Sequence, residues 1–196
     1  MPFQNRVTPF GELIATPERC LVYGNRGRLH DDHGVIRRQW QLKRWISCRL
    51  EFRGRYRPGG PMAPNRYTGL FFLDDATALA AGHRPCAECR NAEYKSFLAR
   101  TGASRADELD EVLHAERGRL HEGELDGLPD GAFLALDGEP WLVLGSELWH
   151  WTPGGYSERR PRPGGGVEII TPPTSVRVLA SGWRGSLPLV HARRAA

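Results

Sequence analysis

Residues 71–89 read FFLDDATALAAGHRPCAEC, and the fold of the chain turns on how this stretch is read. Phe71-Phe72 closes a strand, and Asp74 or Asp75 can cap the following helix with a side-chain oxygen. Ala76, Leu79 and Ala80 give that helix an apolar stripe, and Gly82 takes the left-handed stop position. Pro85 fixes its own φ and pushes Arg84 into an extended conformation, so His83-Arg84-Pro85 leads stiffly into Cys86-x-x-Cys89. Thiols at that spacing can meet one metal ion, because the tight turn between them points both sulfurs into its concave side. The pair is half of a tetrahedral zinc site. Past Cys89 the spacing predicts a second helix, with Asn91 as cap, Tyr94, Phe97 and Leu98 as its buried stripe and Gly102 as terminator.

The remaining ligands must come from elsewhere. Residues 41–56 alternate as a strand, with Trp45, Ser47, Arg49 and Glu51 on one face and Ile46, Cys48, Leu50 and Phe52 on the other. Pairing with a strand over 67–73, through a Pro/Gly loop over 57–65, would carry Cys48 to the knuckle. Cys48 is therefore preferred to Cys20 as third ligand, against the alternative that it is a small buried hydrophobe. His30 and His33 are further donors, although a polar His-Asp-Asp-His segment is more often an exposed turn.

Phe71-Phe72, the run from Ala78 to Gly82, and Arg84-Pro85-Cys86-x-x-Cys89-Arg90 resemble the C-terminal half of the metal-binding domain of the Ada DNA-repair family. The resemblance spans twenty of 196 residues, and it implies a zinc-thiolate site associated with DNA. The family places a second close cysteine pair upstream, where this chain has only Cys48 and Cys20, so the methyl-acceptor chemistry of the family is not carried over. What the resemblance implies here is a zinc-binding relative with a changed ligand set.

A third helix is expected from a Ser104 cap, with Asp107 three residues on, to about Gly118. It contains His114-Ala115-Glu116, which together with Pro85-Cys86-x-x-Cys89 resembles the His-x-Glu and Pro-Cys-x-x-Cys pieces of zinc deaminases. That resemblance implies His114 as a zinc ligand and Glu116 as proton shuttle. The order of the two pieces is reversed relative to deaminases. If Leu109, Val112 and Leu113 define the buried face, Glu116 falls near its middle and His114 about 160° away.

The net charge of +4 is unevenly spread. Twelve Arg and Lys lie between Arg19 and Arg66 against three acids, while residues 107–139 are acidic. Trp40 and Trp45 sit in the basic stretch, where guanidinium forks suit phosphates and aromatic faces suit unpaired bases. Arg37, Arg38, Lys43 and Arg44 are the candidate nucleic-acid contacts. The plainer reading puts the tryptophans in the core and ascribes the arginines to a chain with only two lysines. The loop Gly24-Asn25-Arg26-Gly27-Arg28 matches no phosphate-binding fingerprint.

From about residue 121 the pattern turns to antiparallel strands. Ala132–Leu136 and Trp141–Leu144 flank Asp137-Gly138, a type I′ hairpin signal, and Trp149, Trp151 and Tyr156 beside Arg159, Arg160 and Arg162 are core or the lining of a groove. A strand over 167–170 and a short helix from Thr174 or Ser175 to Ser181 follow, and the last residues are expected to fray.

The expected class is α+β, with a zinc-containing module over 1–122 and a β-rich portion over 123–196. The cysteine spacings do not form a disulfide scaffold, and no leader or membrane-length apolar run is seen, so a soluble, cytoplasmic protein is expected. The leading expectation is zinc-stabilised binding of nucleic acid, DNA first, in repair or processing. The alternatives are a zinc hydrolase or deaminase using Glu116, and a structural zinc module for protein contacts.

Overall fold

Every residue of the helix at the centre of the quoted stretch is buried. The computed structural model describes residues 1–54 and 59–191. Strands β1 (Gln4–Val7), β2 (Leu13–Ala15), β3 (Val22–Asn25), β4 (Ile46–Cys48) and β5 (Leu70–Phe72) precede α1 (Asp75–Ala80), and β6 (Arg84–Pro85) follows it. Helices α2 (Asn91–Leu98) and α3 (Ala106–Glu116) come next. The chain then forms β7 (His121–Glu124), β8 (Phe133–Leu136), β9 (Glu139–Leu144), β10 (Glu147–Thr152), β11 (Gly155–Pro161), β12 (Gly166–Ile169) and α4 (Pro173–Ala180). The fold is α+β, with two six-stranded sheets ordered β2-β1-β5-β3-β4-β6 and β11-β10-β9-β8-β12-β7.

Three hydrophobic clusters meet on α1. Ala78 and Ala81 face Val7, Leu13, Val22, Leu70 and Phe72 of the first sheet. Leu73, Ala76 and Ala80 pack on Phe133, Leu142, Trp151, Tyr156 and Ile170 of the second. Leu79 meets Phe97 of α2, Leu109 and Leu113 of α3, and Val178 and Leu179 of α4. Small residues all round let every element approach, as befits a helix without a solvent face. Its ends follow the expectation: Asp74 accepts from the Thr77 amide at 2.9 Å, and Gly82 has φ +78°. The chain end also serves it, because Asp75 and Ala76 donate their backbone amides to the Pro188 and Leu189 carbonyls.

The first sheet differs from the expected one in the partner of Cys48. The strand over 41–56 shrinks to Ile46–Cys48, and β3 lies between it and β5. Three hydrogen bonds at its two ends explain the shortening. The Gln41 and Leu42 amides donate to the Arg26 carbonyl, which turns the chain across β3, and past Cys48 the Arg49 side chain is drawn to the Cys89 carbonyl. The tail of the expected strand, the start of the loop, Arg55 and Arg57 lie at 55–58, outside the described residues, as does 192–196 at the chain end. Gly24 permits the close packing of β3, since a Cβ there would sit 2.3 Å from the Ile46 carbonyl oxygen and 2.8 Å from the Phe72 ring.

In α2 the cap position falls to Arg90 rather than Asn91, and only Phe97 of its expected stripe is fully buried. The buried face of α3 is Leu109, Asp110 and Leu113, whereas Val112 is exposed. Asp110 replaces Val112 inside because it receives both ends of the Arg84 fork at 2.8 Å. Helix α4 starts at Pro173, and neither Thr174 nor Ser175 caps it. The Glu116 carboxylate does so instead, accepting from the Thr174 amide at 2.9 Å and its hydroxyl at 2.8 Å.

The hairpin β8–β9 turns on Asp137 and Gly138, with φ +55° and +79°, as a type I′ turn requires. Strand β7, whose sequence HEGE has no apolar residue, pairs with β12, so the division expected at 122/123 falls inside a strand. Among the described residues, no helix is long and apolar enough to cross a membrane.

Candidate metal centre

The knuckle is fixed to the first sheet by its own backbone. β6 pairs in parallel with β4, Ser47 opposite Pro85, and the Cys86 amide donates to the Ser47 carbonyl at 2.9 Å. Cys48, the last residue of β4, therefore ends beside Cys86. The Glu88 amide donates to Cys86 Sγ at 3.4 Å, and the Arg90 amide to the Cys86 carbonyl at 3.0 Å, closing the tight turn expected between the two thiols.

Two arginines clamp this turn. Arg49 Nε donates to the Cys89 carbonyl at 3.0 Å. Arg90, fully buried, sends both terminal nitrogens to the Asp75 carboxylate at 2.7 Å and one of them to Ser47 Oγ at 2.8 Å, while Nε reaches Glu93 at 2.7 Å. Burial opposes the Arg90 charge, but the Asp75 and Glu93 carboxylates outweigh it and hold the guanidinium protonated. The knuckle is thereby tied to the first turn of α1, to β4 and to α2.

The sulfurs of Cys48, Cys86 and Cys89 lie within 4.8 Å of one another, and the three residues are 8, 7 and 9 % exposed. Zinc–sulfur bonds of about 2.3 Å in a tetrahedron set sulfurs roughly 3.8 Å apart, so small side-chain rotations suffice to close on an ion. The three thiols compete for charge. Hydrogen bonds from Cys48 and then Cys89 draw Cys86 far down toward thiolate, whereas the bond to Cys86, then that to Cys89, then burial push Cys48 far up. A divalent cation would offset the repulsion among three thiolates held this close. These cysteines can hold a metal ion.

The other sequence candidates lie elsewhere. Cys20 is free and half-buried, and burial raises its thiol to about 11. His114 packs edge-on against Trp40 at 4.6 Å, and His30 is buried against the Thr68 hydroxyl at 2.6 Å; neither belongs to the cysteine group. His33 is exposed in the turn around Asp31. Glu116 is held at the start of α4.

All three cysteines border a cleft of about 560 Å³ whose walls include Arg44, Arg49, Arg66 and Arg84 with Tyr23, Phe52 and Tyr67. Arg84 and Arg49 are committed, to Asp110 and to Cys89 with Glu93. Arg44 and Arg66 are exposed and make no ion pair among the described residues. Of the four expected phosphate contacts only Arg44 reaches this cleft; Arg37 and Lys43 are exposed but paired with Asp31 at 2.8 Å and Glu111 at 2.6 Å, and Arg38 is exposed. Trp45 is core, lying under the guanidiniums of Arg26 at 3.8 Å and Arg117 at 4.3 Å, while Trp40 stays half exposed. Trp151 and Tyr156 are core as well, and Trp149 lies under Arg159 at 3.8 Å.

Sequence reasoning passed over Arg66 and Tyr67. Their one signal was an Arg-Tyr pair closing a Pro/Gly loop just before a strand, the usual place for a residue presented to a ligand. Compared with family models, with curated proteins and with solved structures, the chain matches none of them.

Proposed function

We propose that the protein holds a zinc ion on Cys48, Cys86 and Cys89 and binds nucleic acid, DNA in the first instance, in the cleft above it. The observation that carries this reading is the convergence of three thiols on a cleft whose walls also carry exposed Arg44 and Arg66 with aromatic Tyr67 and Phe52. A donor set made only of thiolates suits zinc over the hard cations magnesium and calcium. When bound, the ion would cross-link β4 to the knuckle and offset the charge of the three thiolates. Arg44 and Arg66 supply planar forks for phosphate oxygens, and the exposed Tyr67 ring supplies a face on which an unpaired base can stack. Of the other expected contacts, Arg38 is exposed on the segment that leads to Arg44, while Arg37 and Lys43 are engaged by Asp31 and Glu111. The Ada-like stretch from Phe71 to Arg90 supports DNA as the polymer and DNA processing as the setting.

No observation favours deamination through Glu116, because its carboxylate is spent on α4 and it does not line the cleft. The test is fluorescence anisotropy with single-stranded and duplex oligonucleotides over a salt series. Affinity should fall steeply with salt, and Arg44→Ala and Arg66→Ala should each reduce the slope by about 1. Salt-independent binding, or a double variant that binds like wild type, would refute the reading.

A further inference from the structure

We infer that the cysteine centre is completed from outside the chain, by an oxyanion of the phosphate class that enters the cleft and lies between the ion and the guanidiniums of Arg44 and Arg66. This rests on the metal reading above and extends it to the ligand.

The argument runs by elimination. A tetrahedral ion takes four donors, and closed structural sites draw all four from protein, whereas three protein donors mark a site that exchanges its fourth ligand. Among the described residues, only Cys48, Cys86 and Cys89 bring donor atoms together. Residues 55–58 and 192–196 read Arg-Tyr-Arg-Pro and Ala-Arg-Arg-Ala-Ala, so every Cys, His, Asp and Glu of the chain lies within the described part. The fourth cysteine, Cys20, is half-buried and lies outside the group. The carboxylates that line the cleft, Glu88 and Asp107, stand outside the donor group.

The open side of the centre is its cleft side, since all three cysteines border the cleft. The cleft also states the ligand's charge. Arg49 and Arg84 are already spent on protein acceptors, whereas Arg44 and Arg66 make no ion pair among the described residues. A fork of guanidinium donors beside a divalent ion fits a tetrahedral oxyanion better than a neutral or cationic ligand. The volume of about 560 Å³ leaves room for a group attached to that oxyanion.

The test uses the full chain loaded with cobalt(II), whose visible thiolate and ligand-field bands report the fourth ligand directly. Inorganic phosphate and a short single-stranded DNA are titrated in separate arms. A saturable band shift in either arm supports the inference, the phosphate arm identifying a free oxyanion and a shift with DNA alone identifying the nucleic-acid backbone. The Arg44→Ala/Arg66→Ala double variant should keep the unliganded spectrum and lose about tenfold or more in ligand affinity. Bands unmoved in both arms would overturn the inference while leaving the metal reading intact. So would an unliganded spectrum altered by Glu88→Gln or Asp107→Asn, which would show that the protein closes the site itself. A chain that binds no cobalt would overturn the metal reading, and this inference with it.

Discussion

Arg90→Met should be among the most damaging single substitutions outside the cysteines. Met keeps much of the aliphatic volume but leaves the Asp75 carboxylate, 1 % exposed, without the fork that meets both its oxygens at 2.7 Å. Removing one partner of a buried pair costs about 3–5 kcal/mol, because the remaining charge is desolvated and uncompensated. For a chain of this length each kcal/mol moves Tm by roughly 2–4 °C, so a fall of about 6–20 °C is expected in thermal unfolding followed by circular dichroism. The effect has a pH sign. Burial pushes the Asp75 carboxyl up, and without Arg90 nothing offsets that push. A carboxyl with a raised folded pKa is penalised above its unfolded pKa of about 3.9, so the gap between variant and wild type should narrow on acidification toward that value. Asp75→Asn placed on Arg90→Met should recover part of the loss, with a coupling of about 1–3 kcal/mol. A single variant within about 1 kcal/mol of wild type, or strictly additive effects, would refute the assignment of Arg90 as the clamp of the knuckle.

Glu116→Ala should cost about 1 kcal/mol through loss of the α4 cap and leave metal content unchanged, as read by denaturant unfolding and metal analysis. Gly24→Ala should cost about 3 kcal/mol or more, because its Cβ would collide with backbone at 2.3 Å; a soluble variant of wild-type Tm would show that β3 and β4 are not packed as described. Asp31 should titrate at about 2 by carbon-detected NMR, held down first by the Val35 amide and then by Arg37. Its contribution is thus present above the unfolded value of 3.8 and lost as pH falls toward 2, and a midpoint near 3.8 would mean that this turn is open in solution.

The sequence was most legible where local rules and tertiary demands agree. Asp74, Gly82 and Pro85 bound α1 and the knuckle through cap, left-handed stop and fixed φ, all readable from neighbours in sequence. Asp137-Gly138 is legible for the same reason, because few other pairs take two positive φ values at a hairpin. What depends on long-range partners was not. Cys48 does come beside the knuckle, but through β6 and not through the strand over 67–73, since alternation reveals a face and never a neighbour. Val112 and Asp110 exchanged places because a buried Arg84 repays the burial of Asp110, and Glu116 caps a helix more than fifty residues away. Strand β7 lacks any apolar signal and is placed by its pairing with β12 and by the His121 ring on the Glu116 carbonyl. At the site, the knuckle announced two sulfurs, whereas Arg66 and Tyr67 carry a pattern common to many loops and are marked only by the cleft they line.

Metal content of the purified full chain, by mass spectrometry, tests the central claim most directly. Wild type and Cys20→Ala should each carry close to one zinc per chain, while Cys86→Ser, Cys89→Ser and Cys48→Ala should lose it, and His114→Ala should keep it. A folded wild-type protein without metal, or a Cys48→Ala variant that still holds a full equivalent, would contradict the three-cysteine centre.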